Sequence, residues 1–170
     1  MFGHVEFVTE YIRLSSIFAY QLSQLNQDGY RPLHLASANY HLEIVQFLME
    51  FGKHKSALEE LFMKKDRDGR TALHSSVVTG KISVIDLLFD HCPDAAKEFT
   101  IHQEIVLHLA MKHHQQEVLE LLIDQKLGSS VQDLLNRGDR EGNTILHMAT
   151  AKNKTSGTSY LKKLLVFLVR

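Results

Sequence analysis

The dipeptide Leu-His recurs at Leu33-His34, Leu73-His74, Leu107-His108 and Leu146-His147, and Asp28-Gly29, Asp68-Gly69 and Glu141-Gly142 precede three of these copies at one fixed distance. Self-similarity at a period of roughly 33 residues means that one supersecondary unit is repeated, and that no unit buries its apolar face alone. Each Leu-His opens a stretch of helical apolar spacing, and a second such stretch follows it. A stack of helix pairs is the expected result, and such stacks present binding surfaces far more often than catalytic centres.

The second copy, Asp66 to His74, is the best-formed template. Asp68-Gly69 predicts a tight turn at the tip of a finger-like hairpin, because glycine tolerates the positive φ that hairpin turns require. Thr71 stands where a helix should start, its hydroxyl placed to accept from an orphan N–H of the first turn. Leu73, Val77 and Val78 share one face of that helix; Gly80 ends it; Ile82, Val84, Ile85, Leu87 and Leu88 carry a second helix to the stop at Pro93.

The first copy follows the plan, with Pro32 at an early helical position where its missing N–H costs nothing. A surplus between residues 52 and 65, where Leu58, Leu61 and Phe62 stand, predicts an extended or additional short helix. The third copy has His102-Gln103 and Ile105 in place of the Asp-Gly and threonine, so its helices should form while its finger is in question. In the fourth, the polar run Lys152 to Ser159 predicts a long loop between its helices, with Leu161, Leu164 and Leu165 on the second. Gly3 to Val8 aligns with Tyr40 to Val45, so the chain opens on the second helix of a repeat. That opening implies either an unusual start or a longer protein, and it leaves an apolar N-terminal face available for self-association.

Pro32-Leu33-His34-Leu35-Ala36, Thr71-Ala72-Leu73-His74 and Thr144-Ile145-Leu146-His147 resemble the Thr-Pro-Leu-His-x-Ala core of ankyrin repeats. The resemblance covers nearly the whole chain and implies an all-α ankyrin-repeat solenoid of stacked helix-turn-helix pairs with short β-hairpin fingers. It implies one domain over 1–170: a partial repeat at 1–24 and repeats at about 25–65, 66–98, 99–137 and 138–170. Gly3 to Val8, Gly29 to Ala36 and Glu141 to His147 are also similar to plant ankyrin proteins of the accelerated-cell-death and bian-da kinds. That likeness implies signal transduction in plant defence or cell-death control. Members of that group often continue into a membrane module, expected to be missing from this chain, so the alternative is the cytosolic part of a membrane-attached regulatory or channel-like protein.

Composition excludes several other classes. With 19 Lys and Arg against 20 Asp and Glu, the chain has no excess positive charge with which to hold a nucleic acid. Its single cysteine, Cys92, cannot make an internal disulfide, which fits a cytoplasmic protein, or one at the cytosolic face of a membrane if the chain belongs to something longer. Leu164 to Val169 is too short to span a bilayer, which needs about 20 apolar residues, and the stripe Leu161, Leu164, Leu165, Leu168 beside Lys162-Lys163 reads as an outer repeat helix before it reads as a membrane-surface one.

The 11 histidines invite a metal, yet His34, His74, His108 and His147 occupy the repeated slot at the start of a helix, where the ring can tie adjacent loops. His108 and His113-His114 are not at ligand spacing. Cys92 beside His91 sits at a helix C-terminus, where the dipole disfavours a thiolate. Neither a nucleophile elbow nor a phosphate loop is present, so no catalytic, metal or cofactor residues are expected and the chain is not read as an enzyme. Its expected partner is another protein, met by Tyr30, Arg31, Arg67, Arg70, Arg140 and Asn143 at the fingers and by Asn39, Tyr40, Thr79 and Lys112 near the inner-helix ends. Tyrosine and arginine are common interface anchors, and arginines at three tips would suit an acidic peptide.

Overall fold

A computed structural model describes residues 22, 24–54 and 58–156. Its helices are α1 (Pro32–Ala38), α2 (Leu42–His54), α3 (Leu58–Met63), α4 (Ala72–Thr79), α5 (Ile82–His91), α6 (Val106–Lys112), α7 (Gln116–Leu121), α8 (Val131–Leu135) and α9 (Ile145–Ser156). The all-α repeat architecture expected from the motif is present. Inner helices α1, α4, α6 and α9 stack in one row, and outer helices α2, α5 and α7 back them. The surplus before Lys65 forms the short helix α3, while α2 runs on to His54.

Two layers dictate a core that is sorted by column. The motif leucines Leu33, Leu73 and Leu107 are buried, and Ala36, Ser76, Ala110 and Ala149 form a buried small-residue column that lets inner helices approach closely. Ser76 keeps its hydroxyl satisfied inside that column by donating to the Leu73 carbonyl at 2.8 Å. The outer row contributes Val45, Ile85 and Leu119 at one level and Leu48, Leu88 and, just past the end of α7, Leu122 at the next. Each such leucine contributes about 1.5–3 kcal/mol by leaving water, which makes these columns the main favourable term in the stack.

The turn between inner and outer helix is identical in three repeats. Tyr40, Gly80 and His114 take φ of 61°, 70° and 58°, and the next residue's N–H returns to the inner helix: His41 to Ala36, Lys81 to Ser76 and Gln115 to Ala110, at 2.9, 3.0 and 2.9 Å. This is the left-handed C-terminal cap that glycine favours, here adopted twice by larger residues. Gln115 also donates to the Val78 carbonyl at 3.0 Å, tying two of these turns together. On the outer row, α7 passes into a π-helical turn, Leu122–Lys126. From there Lys126 reaches Asp86 at 3.1 Å and Asp90 at 2.7 Å on α5.

Three expectations need correction or limitation. Among the described residues no strand occurs: the fingers are tight turns rather than β-hairpins. The loop expected over Lys152 to Ser159 is instead helical as far as Ser156, since α9 continues without a glycine to end it at the position equivalent to Gly80. The repeat-like segments Gly3 to Val8 and Leu161 to Leu168 lie outside the described residues.

His114→Gly is expected to stabilise the chain by about 0.5–1 kcal/mol, because it relieves a left-handed side chain, and Gly80→Ala is expected to destabilise it by at least that much. In Gly80→Ala the added Cβ would meet Gln115 Oε1 at 2.4 Å. Urea-unfolding midpoints measure both changes.

Candidate functional site: the finger row and the histidine clamps

Each finger starts with a side-chain acceptor. Asn26, Asp66, Thr100 and Asp139 each donate a backbone N–H to the carbonyl four residues on, at 2.8–3.0 Å, and accept the returning N–H of Gly29, Gly69, Gln103 and Gly142. Their side chains close the same loops: Asp66 Oδ1 accepts from the N–H groups of Asp68 and Arg70, Thr100 Oγ1 from those of His102 and Glu104, and Asp139 Oδ1 from those of Glu141 and Asn143. Asn26 Oδ1 accepts from the Tyr30 N–H at 2.8 Å. Small polar side chains favour this turn because they satisfy backbone donors locally. Burial alone would raise the Asp139 carboxyl, but the Asn143 and Glu141 N–H donors outweigh it and hold the group below its ordinary value.

The third finger forms despite its missing glycine. Gln103 takes φ 58° and Thr100 supplies the acceptor that aspartate supplies elsewhere. Successive fingers are joined by single backbone bonds: Arg67 N–H to the Gly29 carbonyl at 3.1 Å, Ile101 to Asp68 at 2.9 Å, and Arg140 to His102 at 2.9 Å. The role of the opening residue was missed in the sequence, although Asn, Asp, Thr and Asp at one repeat position were its signal.

The repeated histidines clamp inner helix to next finger. His34, His74 and His108 turn Nε2 to the carbonyls of Arg70, Glu98 and Asn143 at 2.7, 3.2 and 3.0 Å. A nitrogen facing a carbonyl at that range must carry the proton, so Nδ1 is the acceptor. It accepts the Thr71 N–H in His74 and the Ile105 N–H in His108, at 3.2 and 3.3 Å. Thr71 directs its hydroxyl at the His74 ring, 2.8 Å away, and His74 accepts the Thr71 N–H, so the two residues close a capping box at the start of α4. Loss of threonine at Ile105 costs the third clamp its hydroxyl contact but not its bridge. In the first repeat Arg31 holds the threonine slot, and His34 Nδ1 has no hydrogen-bond partner among the described residues. Burial lowers all three imidazoles, His74 to about 3, against the opposing pull of the carbonyls they bind.

His147 keeps the local pattern, with Thr144 Oγ1 at 2.8 Å from Nδ1, and is exposed. None of the four histidines is arranged to hold a metal, and among the described residues no group of three metal-ligating side chains converges. Cys92 is buried at the end of α5.

The residues singled out as partner-binding fall into distinct environments. Arg31 donates Nε to the Lys65 carbonyl at 2.9 Å, and Arg70 lies 3.5 Å from Asp68, so both are used in joining or bracing fingers. Arg67 and Arg140 are exposed with no side-chain partner among the described residues. Tyr30 is half-buried on the first finger, and Asn143 binds Asp139 and Glu141. Lys112 pairs at 2.7 Å with Glu104, itself buried beneath the third finger. Lys112, Arg140 and Asn143 line one groove of about 470 Å³ with the acids Glu104, Asp139 and Glu141 and with His102 and Met148. Asn39 and Thr79 bond back to their own helices, and Tyr40 lies 5.9 Å from Lys81 Nζ, all at the far end of the inner helices from the fingertips.

The ankyrin-repeat family profile matches residues 1–101 as three copies, more than half of the chain. The chain is an ankyrin-repeat protein. It is 27% identical over 136 residues to rabankyrin-5 of Mus musculus, covering 79% of this chain and 10% of that protein. It is 29% identical over 150 residues to the nuclear factor NF-kappa-B p105 subunit of Gallus gallus, covering 88% of this chain and 15% of that one. A shorter match, 38% over 64 residues, is to the FYVE zinc finger domain protein UPA1 of Mycosarcoma maydis and covers 38% of this chain and 4% of that protein. The chain thus spans a small fraction of the length of these curated relatives. Ankyrin repeats generally mediate binding between proteins, and among the described residues no helix is long and apolar enough to cross a membrane.

A histidine whose folded value is depressed stabilises the fold most above its unfolded value of 6.5, and that stabilisation is lost as pH falls toward the folded value. Unfolding free energy should therefore decline as pH drops from about 6.5 toward 3. In His74→Gln the slope over that window should be shallower by up to about 1.4 kcal/mol per pH unit, read from urea titrations at several pH values. Nitrogen-15 spectra at pH 7 should show the Nε2–H tautomer for His34, His74 and His108.

Proposed function

We propose that this chain is a noncatalytic scaffold that binds another protein along its finger row and inner-helix face. The observation that carries this reading is the sorting of polar side chains. Fingers are locked to each other through their backbones, which leaves Arg67 and Arg140 exposed on a rigid row, with Tyr30 half-buried on the first finger. A binding surface built on a fixed scaffold loses little entropy on association, and arginine and tyrosine are its usual anchors. The groove lined by Lys112, Arg140 and Asn143 extends that surface onto α6. We place the scaffold in the cytoplasm or at the cytosolic face of a membrane. The likeness of Gly29 to Ala36 and Glu141 to His147 to plant accelerated-cell-death and bian-da repeats supports a role in defence or cell-death signalling.

Affinity capture tests the surface. A chain carrying Tyr30→Ala, Arg67→Ala, Thr79→Ala and Arg140→Ala should lose its captured partner, while one carrying Gln116→Ala and Glu117→Ala on the outer helix should retain it. Equal recovery by both variants, or equal loss, rejects the assignment.

A further inference from the structure

The geometry points to Arg67, Ile101 and Arg140 as one recognition row for an extended segment of a partner protein in which an apolar residue stands midway between two carboxylates. The inference rests on the scaffold reading above and names the chemistry of its partner.

All three residues hold the same place in successive fingers, the position whose N–H bonds to a carbonyl of the finger before it. The acceptor is the fourth finger residue for Arg67 and the third for Ile101 and Arg140, so the three backbones are held alike against the preceding finger. Arg67 lies across Gly29, where an added Cβ would come within 2.6 Å of the arginine Cβ, and Ile101 lies across Gly69, with Cγ2 at 3.3 Å from such an atom. Two independent fingers thus send this side chain over the preceding glycine. Ile101 is 56% exposed, the largest value among the exposed large apolar residues described. An isolated apolar tip is ordinary, but this one is bracketed by cations.

Among the described residues those cations have no side-chain partner. Arg31 is held by the Lys65 carbonyl, Arg70 by Asp68, and Arg137 by the Lys97 carbonyl and the Phe99 ring. Neither Arg67 nor Arg140 forms an ion pair among the described residues: Asp68 lies 3.5 Å from Arg70, and Asp139 and Glu141, which keep their charge beside Arg140, take their hydrogen bonds from Asn143 and from backbone N–H groups. What remains is an alternation of guanidinium, sec-butyl surface and guanidinium along the stack. Guanidinium groups recognise carboxylates through paired N–H donors, and the aliphatic tip between them excludes a polar residue.

Spacing fixes the register. Stacked helices lie about 8–10 Å apart, and an extended chain advances about 3.3 Å per residue, so adjacent fingers meet every third residue of a peptide lying along them. The complementary sequence has an acid, two spacer residues, an apolar residue, two spacers and an acid.

Fluorescence anisotropy of a labelled Glu-Ser-Ser-Leu-Ser-Ser-Glu peptide against the whole chain tests this, with glutamine and lysine replacing both glutamates in two comparison peptides, and leucine moved beside the first glutamate in another. The glutamate peptide should bind saturably, several-fold more tightly than any comparison peptide, and should weaken as salt rises. Arg67→Ala with Arg140→Ala, and separately Ile101→Asp, should each weaken it tenfold or more at an unchanged unfolding midpoint, whereas Glu117→Gln should not. Equal or tighter binding of the lysine peptide, indifference to the leucine position, indifference to the arginine substitutions, or no binding would each overturn the inference. Absence of peptide binding beside loss of capture by the variant carrying Tyr30→Ala, Arg67→Ala, Thr79→Ala and Arg140→Ala would reject this register while leaving the scaffold reading standing.

Discussion

A neutral imidazole that belongs to one repeat and hydrogen-bonds the next is the contact on which this array depends. His34, His74 and His108 each sit at the start of an inner helix and reach a carbonyl at or just before the following finger. The bond is directional where the hydrophobic columns are not. Leu33, Leu73 and Leu107 could be buried over a range of helix rotations, but Nε2 meets its carbonyl in one register only. Burial keeps each ring neutral, and neutrality gives the ring one donor and one acceptor: His74 and His108 use both, and His34 uses the donor. The clamp and the core therefore support each other: packing dries the site, and the dry site holds the tautomer that fixes the packing.

The fingers inherit their rigidity from this arrangement. With each helix start tied to the next finger, and fingers tied to each other by single backbone bonds, the tips become a fixed row although none forms a strand. Each departure from the repeat pattern is compensated locally. Thr100 replaces an aspartate acceptor, Gln103 accepts the left-handed conformation that glycine takes elsewhere, and Ile105 fills a buried slot left by threonine while its backbone still serves His108. Since the interactions that define the finger are mostly backbone to backbone, its shape survives substitution at its tip. The tip residues are released for recognition, which is how a repeat fold carries different binding specificities on one frame.

Much of this was legible because periodicity speaks directly about helices. The inner and outer helices of the first three repeats, the short helix after His54 and the glycine at the Gly80 turn all follow from apolar spacing and from turn chemistry. The site was legible only in outline. Arg31 and Arg70 read as interface residues by type, yet their guanidinium groups are engaged by Lys65 and Asp68, neighbours that no one-dimensional pattern reveals. Helix α9 outlasts the position where a loop was expected because a polar Thr/Lys/Asn run does not itself stop a helix, and Thr150 satisfies its hydroxyl on the helix backbone.

By itself the sequence determined the repeat, the pairing of an inner with an outer helix and the slot from which the histidines clamp, because those depend on spacing along the chain. Which nitrogen donates, which arginines stay unpaired, and whether a finger without glycine still closes were decided by the tertiary structure. These outcomes depend on what the neighbouring repeat places within hydrogen-bond distance, and that is a property of stacking rather than of any one repeat.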